Sequence, residues 1–281
     1  MQKGYGLSRV ALGKRGEGRE VAKMKVVILC GGMGTRLREE TEFRPKPLVE
    51  IGGKPILWHI MKIYSHYGFK EFVLCLGYKG HLIKEYFLNY RVMQSDFTLR
   101  LDSPEHPDFH HRSDPVDWSI TFAETGADAM TGARVKRVEK YIQEDDFLLT
   151  YGDGLANIDV GKLLEFHRGH GKTATVTGVR TNSRYGELSV LDGRVKRFSE
   201  KPQTEEGFIS GGFFVFQRRL FDYLSDDDGC VLELAPLENL AQEGQLMSYL
   251  HPGYWHCMDT YRDFIVLNDS WRQGAPWKIW E

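Results

Sequence analysis

The feature that most constrains the fold is an alternation of short apolar runs with segments of helical spacing. Residues 25–30, KVVILC, form a continuous apolar run, which is typical of a strand buried on both faces of a sheet. Residues 55–67 have helical spacing and stop before Gly68. The same pattern predicts strands at 71–76, 147–150 and 172–179 and helices at 79–90 and 160–170, with Asp159 as the N-cap of the second helix. We therefore predict an α/β fold, with a Rossmann-like, mostly parallel sheet in a three-layer α/β/α arrangement.

Two regions depart from this alternation. Residues 97–101 and 118–122 are β-like and are joined by a polar segment rich in histidine and proline, which predicts an inserted antiparallel pair on a long loop. Beyond Arg184 the chain is richer in β-strands. We predict strands at 187–191, 194–198 and 209–216, followed by helices at 233–243 and 261–273. Residues 1–23 are rich in glycine and basic residues and lack an apolar core, which predicts a disordered extension.

Composition excludes several classes of function. With 37 basic and 39 acidic residues, the net charge of −2 gives no reason to expect a nucleic-acid or anionic-membrane surface. No apolar stretch approaches the ~20 residues that a membrane span needs. The four cysteines, Cys30, Cys75, Cys230 and Cys257, lie far apart and form no metal-binding spacing. We expect a reducing compartment in which they have no metal or disulfide role.

A glycine-rich run, LCGGMGTRL at 29–37, follows the first predicted strand directly. Gly31, Gly32 and Gly34 let the backbone approach a ligand closely, and successive exposed N–H groups at a strand end form an anion site. The dinucleotide pattern G-x-G-x-x-G fails because Leu37 stands at the last glycine, and the P-loop pattern fails entirely. A tight strand–helix turn is the alternative, and fixed cations nearby favour phosphate binding.

Those cations are Arg36 within the run and Lys46, which stands between Pro45 and Pro47. Prolines on both sides restrict the backbone, so Lys46 is predicted to be a positioned charge rather than a mobile surface one. We assign nucleotide binding at this edge to Leu29, Gly31, Gly32, Gly34, Thr35, Arg36 and Lys46.

Two aspartates are candidate metal ligands. Asp153 follows the strand at 147–150 and is flanked by Gly152 and Gly154, whereas Asp259 directly precedes the last helix. Asp153 could instead be a turn residue, and Asp259 could cap the helix. Mg²⁺ prefers one or two carboxylates together with substrate phosphate oxygens, and both residues are predicted near the glycine-rich loop. We therefore predict an Mg²⁺ site at Asp153 and Asp259.

The motifs together resemble a known family. GGMGTRL at 31–37 and RPKP at 44–47 are similar to the signature of the sugar nucleotidyltransferases. The resemblance extends over 24–281 and is closest to the glucose-1-phosphate cytidylyltransferase branch, from which Ser210 departs because the branch has asparagine there. The runs similar to that branch are KPLVEIGGKPILWHI at 46–60, YGDG at 151–154, GGFF at 211–214, HPGYW at 251–255, MDT at 258–260 and PWKIWE at 276–281.

This resemblance implies a reaction in which CTP and α-D-glucose 1-phosphate give CDP-glucose and diphosphate, with Arg36, Lys46, Asp153 and Asp259 as the catalytic residues. It implies one domain over 24–281, with a nucleotide-binding half at 24–180 and a sugar-binding, C-terminal half at 181–281. The His-rich insert and the Trp-rich C-terminus predict a homo-oligomer, and the resemblance implies a hexamer and a cytoplasmic setting. UTP or dTTP as the nucleotide, or a catalytically silent sugar-nucleotide-binding regulator, remain alternatives. A nicotinamide dehydrogenase is disfavoured by the failed G-x-G-x-x-G pattern.

The resemblance also assigns the sugar side, where Glu200 would accept from sugar hydroxyls and Lys201 would bind the phosphate. An exposed ion pair is the alternative for these two residues. The complete sugar-phosphate set is Tyr151, Gly186, Glu200, Lys201, Gly211 and Gly212. On the nucleotide side, we assign contacts with the base edge to Thr125 and Gly126. We assign contacts with the triphosphate or ribose to Arg134, and we predict that Asp153 also contacts the nucleotide. Alternatively, residues 124–134 are only the entry to a helix whose N-cap is Thr131.

Two clusters could suggest other functions. His106, His110 and His111 invite a zinc interpretation, but no second ligand set with metal spacing accompanies them. Four tryptophans near the C-terminus could stack on a base, although burial or a subunit interface is the favoured interpretation. They are Trp255, Trp271, Trp277 and Trp280.

Overall fold

The computed structural model describes residues 24–104, 106–110, 116–180, 187–191, 194–199 and 207–281. The predicted extension at 1–23 lies outside these ranges, as do Gly186, Glu200, Lys201 and His111. The strands within the described ranges are β1 Lys25–Leu29, β2 Glu50–Ile51, β3 Lys54–Pro55, β4 Glu71–Leu76, β5 Phe97–Thr98, β6 Asp108–Phe109, β7 Ser119–Glu124, β8 Asp146–Tyr151, β9 Gly154–Ala156, β10 Ala174–Val179, β11 Glu187–Leu191, β12 Arg194–Ser199, β13 Ile209–Gln217, β14 Leu246–His251 and β15 Trp255–Cys257.

Helices cover both faces of the main sheet and close its connections. Asp159 is the N-cap of the helix after β9, as predicted, because its carboxylate accepts from the N–H of Lys162 at 2.9 Å. The α-helices are α1 Arg38–Thr41, α2 Ile56–His66, α3 Gly80–Leu88, α4 Tyr90–Met93, α5 Thr131–Arg137, α6 Val160–His170, α7 Ala235–Gln242 and α8 Tyr261–Arg272. Short 3₁₀ helices include Thr35–Leu37 and Lys46–Leu48.

In the described residues the main sheet has seven strands in the order β14-β10-β13-β8-β1-β4-β7. Strand β1 lies near its centre, pairing in parallel with β4 on one side and β8 on the other. Strand β13 runs antiparallel to both β8 and β10, whereas the other neighbouring pairs are parallel. The predicted mostly parallel sheet is therefore confirmed.

Two apolar cores, one on each face of the sheet, produce the three layers. Alternate residues of β1 point to opposite faces, so Val26 and Ile28 join the core that contains α2 and α6. Val27 and Leu29 join the other core, which contains α5 and α7. Because both faces of β1 are buried from Val26 onward, its sequence is apolar from that residue to Leu29, and the predicted α/β/α arrangement is confirmed.

The inserted antiparallel pair was predicted wrongly. The predicted strand at 118–122 lies in β7, which pairs in parallel with β4 and forms an edge of the main sheet. The predicted strand at 97–101 is shorter in the structure, where it forms β5, and β5 pairs with β6 rather than with β7. Strand β7 alternates polar and apolar residues at 119–122 and is only partly buried because it is an edge strand, and such a sequence resembles that of a surface hairpin.

The C-terminal segment packs back onto the molecule. Trp277 is fully buried and Trp280 nearly so, and both belong to the core beneath α2, which confirms the burial interpretation for these two residues. No helix in the described ranges is long and apolar enough to cross a membrane. The proposed division into halves at residue 180 remains a prediction.

Candidate active site

A cavity of about 330 Å³ opens at the carboxyl ends of β1 and β8. In parallel sheets the residues that follow neighbouring strands meet at one edge, so distant motifs converge there. The glycine-rich loop, Lys46 and both candidate aspartates meet in this cavity. Its lining residues are Leu29, Cys30, Gly31, Gly32, Gly34, Thr35, Arg36, Lys46, Pro47, Ala129, Met130, Thr131, Arg134, Tyr151, Gly152, Asp153 and Asp259.

The glycine-rich loop is held in its shape by α1. Gly34 has a φ of +63°, which favours glycine, and its carbonyl accepts from the hydroxyl of Thr41 at 3.0 Å. Thr41 also donates to the carbonyl of Leu37 at 2.9 Å and is almost fully buried. The loop backbone is thus fixed in place before a ligand arrives.

Lys46 is positioned as predicted. It begins a 3₁₀ helix directly after the extended Pro45, and its side chain is only 13% exposed. Its ammonium lies 2.7 Å from the carboxylate of Asp153 and 2.7 Å from that of Asp259. Burial alone would lower the pKa of Lys46, but the charge of Asp153 and the hydrogen bonds to both aspartates outweigh it and raise that pKa. Lys46 is therefore a fixed cation.

A short strand pair brings the two aspartates together. Strand β9 follows Asp153, and β15 precedes Asp259; the two strands pair antiparallel, with Cys257 opposite Gly154. The N–H of Met258 also donates to the carbonyl of Asp153 at 2.9 Å. Residues separated by more than a hundred positions in sequence therefore lie side by side.

The structure excludes the capping interpretation of Asp259. The N-cap of α8 is Thr260, which forms a capping box with Asp263. This box fixes the turn and leaves the side chain of Asp259 facing the cavity. There it accepts from the ammonium of Lys46 and from the exposed guanidinium of Arg36 at 2.9 Å.

The residues present fit a divalent metal ion. Asp153, Cys257 and Asp259 offer ligand atoms that all lie within 4.8 Å of one another. Two carboxylates are the donors that Mg²⁺ prefers. Cys257 was missed by sequence reasoning; its spacing of two from Asp259 in extended chain, where alternate side chains share a face, was the available signal. Burial, followed by the charge of Asp153, raises the pKa of the Cys257 thiol well above its ordinary value.

Arg134 is held in place by hydrogen bonds to backbone carbonyls of the surrounding loops. Its guanidinium is 5% exposed and donates to the carbonyls of Gly31 and Leu76, each at 3.1 Å. It also donates to Thr125 Oγ1 at 3.0 Å and to the carbonyl of Gly126 at 2.7 Å. A fixed positive charge therefore joins the loops after β1, β4 and β7 and forms one wall of the cavity.

The base-edge candidates lie behind this wall. Thr125 is 1% exposed, and its hydroxyl donates to the carbonyl of Leu76 at 2.7 Å. Neither Thr125 nor Gly126 belongs to the cavity lining, whereas Ala129, Met130 and Thr131 do. Thr131 does not cap α5, because its hydroxyl donates to Glu233. The assignment of the base edge to Thr125 and Gly126 remains a prediction.

On the other side of the cavity, Tyr151 packs against Gly212. Gly212 has a φ of +76°, and a Cβ added there would lie 2.4 Å from the tyrosine ring. The carbonyl of Gly211 accepts from the indole N–H of Trp255 at 2.8 Å. Of the predicted sugar-phosphate residues, Tyr151, Gly211 and Gly212 therefore lie together, while Gly186, Glu200 and Lys201 are outside the described residues.

Comparison with known proteins identifies the family. The Nucleotidyl transferase family model matches residues 25–272. The chain is 50% identical over 260 residues to the glucose-1-phosphate cytidylyltransferase of Salmonella typhimurium, an alignment that covers 92% of this chain and all of the relative. It is also 50% identical to the probable glucose-1-phosphate cytidylyltransferase of Bacillus subtilis, again over 92% of this chain and all of the relative.

Solved structures show the same fold. HddC from Yersinia pseudotuberculosis superimposes with a TM-score of 0.64 at 24% identity, covering 88% of this chain and 99% of that one. A putative glucose-1-phosphate thymidylyltransferase from Bacillus anthracis also gives a TM-score of 0.64, at 18% identity, covering 88% of this chain and 94% of that one. Since the family model spans most of the chain and full-length relatives share half of its residues, the chain belongs to the nucleotidyl transferase family and is an enzyme of that class.

Proposed function

We propose that the enzyme transfers a cytidylyl group from CTP to α-D-glucose 1-phosphate, giving CDP-glucose and diphosphate. The observation on which this depends is the meeting of Lys46, Asp153 and Asp259 beside the glycine-rich loop in one cavity. The two relatives at 50% identity bear the name of this activity. A phosphate oxygen of the sugar phosphate attacks the α-phosphorus, the α–β phosphoanhydride bond breaks, and diphosphate leaves.

Charge repulsion is the main barrier that such a site must lower. The attacking phosphate has up to two negative charges and the α-phosphate has one. Two unit-charge pairs near ~4 Å cost roughly 8 kcal/mol at an effective dielectric of about 20. Left uncompensated, this corresponds to about 10⁵–10⁶ in rate. The site therefore needs several positive charges that are already in place.

Lys46 and Arg36 provide two of these charges. Lys46 is fixed by its 3₁₀ helix and its two carboxylate partners, so little reorganisation is needed when an anion binds. Arg36 extends from the glycine-rich loop and is largely exposed, which suits a residue that closes over a phosphate. No general base is required, because a phosphate monoester is already anionic near pH 7. Catalysis then consists of in-line positioning and charge compensation.

Asp153 and Asp259 are the residues that would hold Mg²⁺. Their carboxylates share Lys46, and their positions are fixed by the β9–β15 pair and the capping box of α8. When bound, the ion would add a divalent charge at the phosphate oxygens.

The remaining assignments follow the two sides of the cavity. Arg134 would stabilise the triphosphate or ribose, and Thr125 and Gly126 would contact the base. Tyr151, Gly211 and Gly212 would line the sugar side, together with Gly186, Glu200 and Lys201. UTP or dTTP as the nucleotide remains the rival.

Nucleotide competition tests the proposal. Cytosine presents an amino donor at C4 and an acceptor at N3, whereas uracil and thymine invert both groups. A site that pairs with the cytosine edge would leave buried polar groups unpaired with UTP, which can discriminate by ~10⁴–10⁵. We expect kcat/KM with glucose 1-phosphate to be highest for CTP, measured by diphosphate release. A value for dTTP equal to or above that for CTP would reject the base assignment, and no release with any nucleotide would reject the proposed reaction.

We also infer a homo-oligomer, by family habit a hexamer, that works in the cytoplasm. Exposed apolar side chains that could lie in a subunit contact include Leu88 on α3, Met93 on α4 and Leu101 in the segment after β5. Light scattering coupled to gel filtration measures the assembly directly, and a monomer at micromolar concentration would contradict it.

A further inference from the structure

A carboxylate behind the cavity joins two of its walls. Glu233 lies in the turn that precedes α7, and it is not among the cavity-lining residues. Its Oε2 accepts from the hydroxyl of Thr131 at 2.5 Å, and its Oε1 accepts from the phenol of Tyr151. Both donors line the cavity, Thr131 at the start of α5 and Tyr151 at the end of β8. A single carboxylate therefore spans the nucleotide side and the sugar side.

The segment that bears Glu233 is itself anchored to α5. The N–H of Leu232 donates to Thr131 Oγ1 at 3.0 Å, and the N–H of Ala133 donates to the carbonyl of Cys230 at 3.1 Å. The N–H of Met130 donates to the carbonyl of Asp228 at 2.8 Å. The turn before α7 is thus fixed to the first turn of α5, and the carboxylate of Glu233 extends from it to Tyr151.

Tyr151 is restrained from two directions. Its ring packs on Gly212, where an added Cβ would lie 2.4 Å from a ring carbon, and lies edge-on to Phe214 with ring centroids 6.0 Å apart. Its hydroxyl is restrained by Glu233. Two positions further on in the chain is Asp153, a proposed metal ligand. The orientation of the Tyr151 ring thus sets the shape of the cavity wall on the sugar side.

We propose that Glu233 is a positioning residue for nucleotidyl transfer: through paired hydrogen bonds to Tyr151 and Thr131 it fixes the tyrosine ring as the wall against which glucose 1-phosphate lies. This inference rests on the proposed function, because it assigns Tyr151 to the sugar side. It requires no contact between Glu233 and the substrate. It predicts that loss of Glu233 weakens the binding of glucose 1-phosphate because the Tyr151 hydroxyl loses its hydrogen-bond partner.

A double-mutant cycle with steady-state kinetics tests this dependence. We expect Glu233→Ala and Tyr151→Phe each to raise KM for glucose 1-phosphate by ~3–10-fold, the usual order for one hydrogen bond to a charged group near solvent, with kcat within about threefold. The double variant should be no worse than either single variant, because both remove the same contact. Glu233→Gln keeps one acceptor and one donor for the two hydroxyls and should stay within about twofold of wild type.

Glu238→Ala is the matched control, since Glu238 is an exposed glutamate in the first turn of α7. It should leave KM unchanged. Additive effects in the double variant would overturn the proposal, because they would show that Glu233 acts independently of the Tyr151 hydroxyl. Lower Tm and kcat with unchanged KM would also overturn it, since a purely structural role reduces the active fraction. Wild-type turnover of CTP and glucose 1-phosphate is measured first, so that failure of the proposed function is recognised separately.

Discussion

Lys46, Arg36 and the two aspartates Asp153 and Asp259 form the smallest unit of the site in which charge is balanced, with two cations and two carboxylates. One ammonium lies between two carboxylates at equal distances of 2.7 Å, all three side chains being largely buried. Removing either aspartate leaves one cation in excess, and removing Lys46 leaves one carboxylate in excess, in a poorly solvated place, which is costly. Substitutions at this unit should therefore act strongly on chemistry, and they can be designed to preserve shape.

Asp153→Asn and Asp259→Asn change charge with little change in volume. We expect each to lower kcat/KM by ~10²–10⁴, because the proposed metal site loses a ligand, while circular dichroism stays unchanged. Asp159→Asn is the matched control: asparagine also caps helices, so activity should remain near wild type. Undiminished wild-type turnover in excess chelator would contradict a metal role.

Lys46→Ala and Lys201→Ala should separate the two substrates. Lys46 lies beside the glycine-rich loop, so its loss should weaken CTP binding and turnover. Lys201 is assigned to the sugar phosphate by resemblance, so its loss should weaken glucose 1-phosphate binding far more than CTP binding. Calorimetric titration with each substrate measures the ranking, with the exposed Lys162→Ala as a control. The reverse ranking would refute both assignments.

At this scale the sequence predicted that Lys46 is held in place but not which residues hold it. Pro45 and Pro47 indicated a fixed Lys46, because proline restricts the local backbone. The pairing of that lysine with both aspartates depends on β9 and β15, two short strands with little sequence signal. Arg134 was predicted to face ligand, yet its hydrogen bonds to three loops depend on tertiary packing that no local pattern encodes.

Among elements, the glycine-rich loop and α5 depend on each other through Arg134. The guanidinium fills the space beside Gly31 and also beside Gly77, which follows β4. These close approaches explain why glycine is needed at both positions. The alternation of strands and helices was predictable because both faces of the central strands are buried. The role of β7 as a sheet edge was not, since pairing between distant strands is not encoded locally.

Gly31→Ala should disturb this arrangement, because its Cβ would lie 2.1 Å from a nitrogen of Arg134. We expect a loss of about 1–3 kcal/mol in the free energy of unfolding, typical of overpacking, together with a higher KM for CTP. Gly77→Ala should behave similarly, since its Cβ would lie 2.4 Å from the same nitrogen. Gly32→Ala meets open space and should leave Tm nearly unchanged. Equal behaviour of Gly31→Ala and Gly32→Ala in urea titrations would disprove the steric argument.

Across the whole molecule, the C-terminal segment completes the core on the face of the sheet that contains α2. Trp277 is fully buried, and its indole N–H donates to Nδ1 of His59 on α2 at 3.4 Å. His59 is also fully buried, and its Nε2 hydrogen-bonds the carbonyl of Ile51 at 2.8 Å. This pair of contacts requires a neutral imidazole that donates from Nε2 and accepts at Nδ1. The last residues of the chain are thereby joined to the first half of the fold.

This contact predicts how stability depends on pH. Burial lowers the pKa of His59 from 6.5 to about 4, because a charged imidazole would be desolvated. Protonation would also place an N–H at Nδ1 against the indole donor. Between pH ~6.5 and ~4 the imidazole of His59 is therefore protonated in the unfolded chain but not in the folded chain. Its contribution to the free energy of unfolding is complete above pH ~6.5 and is lost as the pH falls toward ~4.

For His59 alone, the expected loss of unfolding free energy between pH 7 and pH 5 is about 2 kcal/mol. Burial also lowers the pKa of His170 and of His251, so the wild-type slope contains their contributions. Urea titrations of wild type and His59→Gln at both pH values give the loss of unfolding free energy for each protein, and the difference between the two losses is the contribution of His59. Glutamine can still donate to the carbonyl of Ile51 but does not titrate, so the variant should be less stable at pH 7 and should lose less on acidification. Equal slopes for the two proteins would show that His59 does not couple protonation to folding.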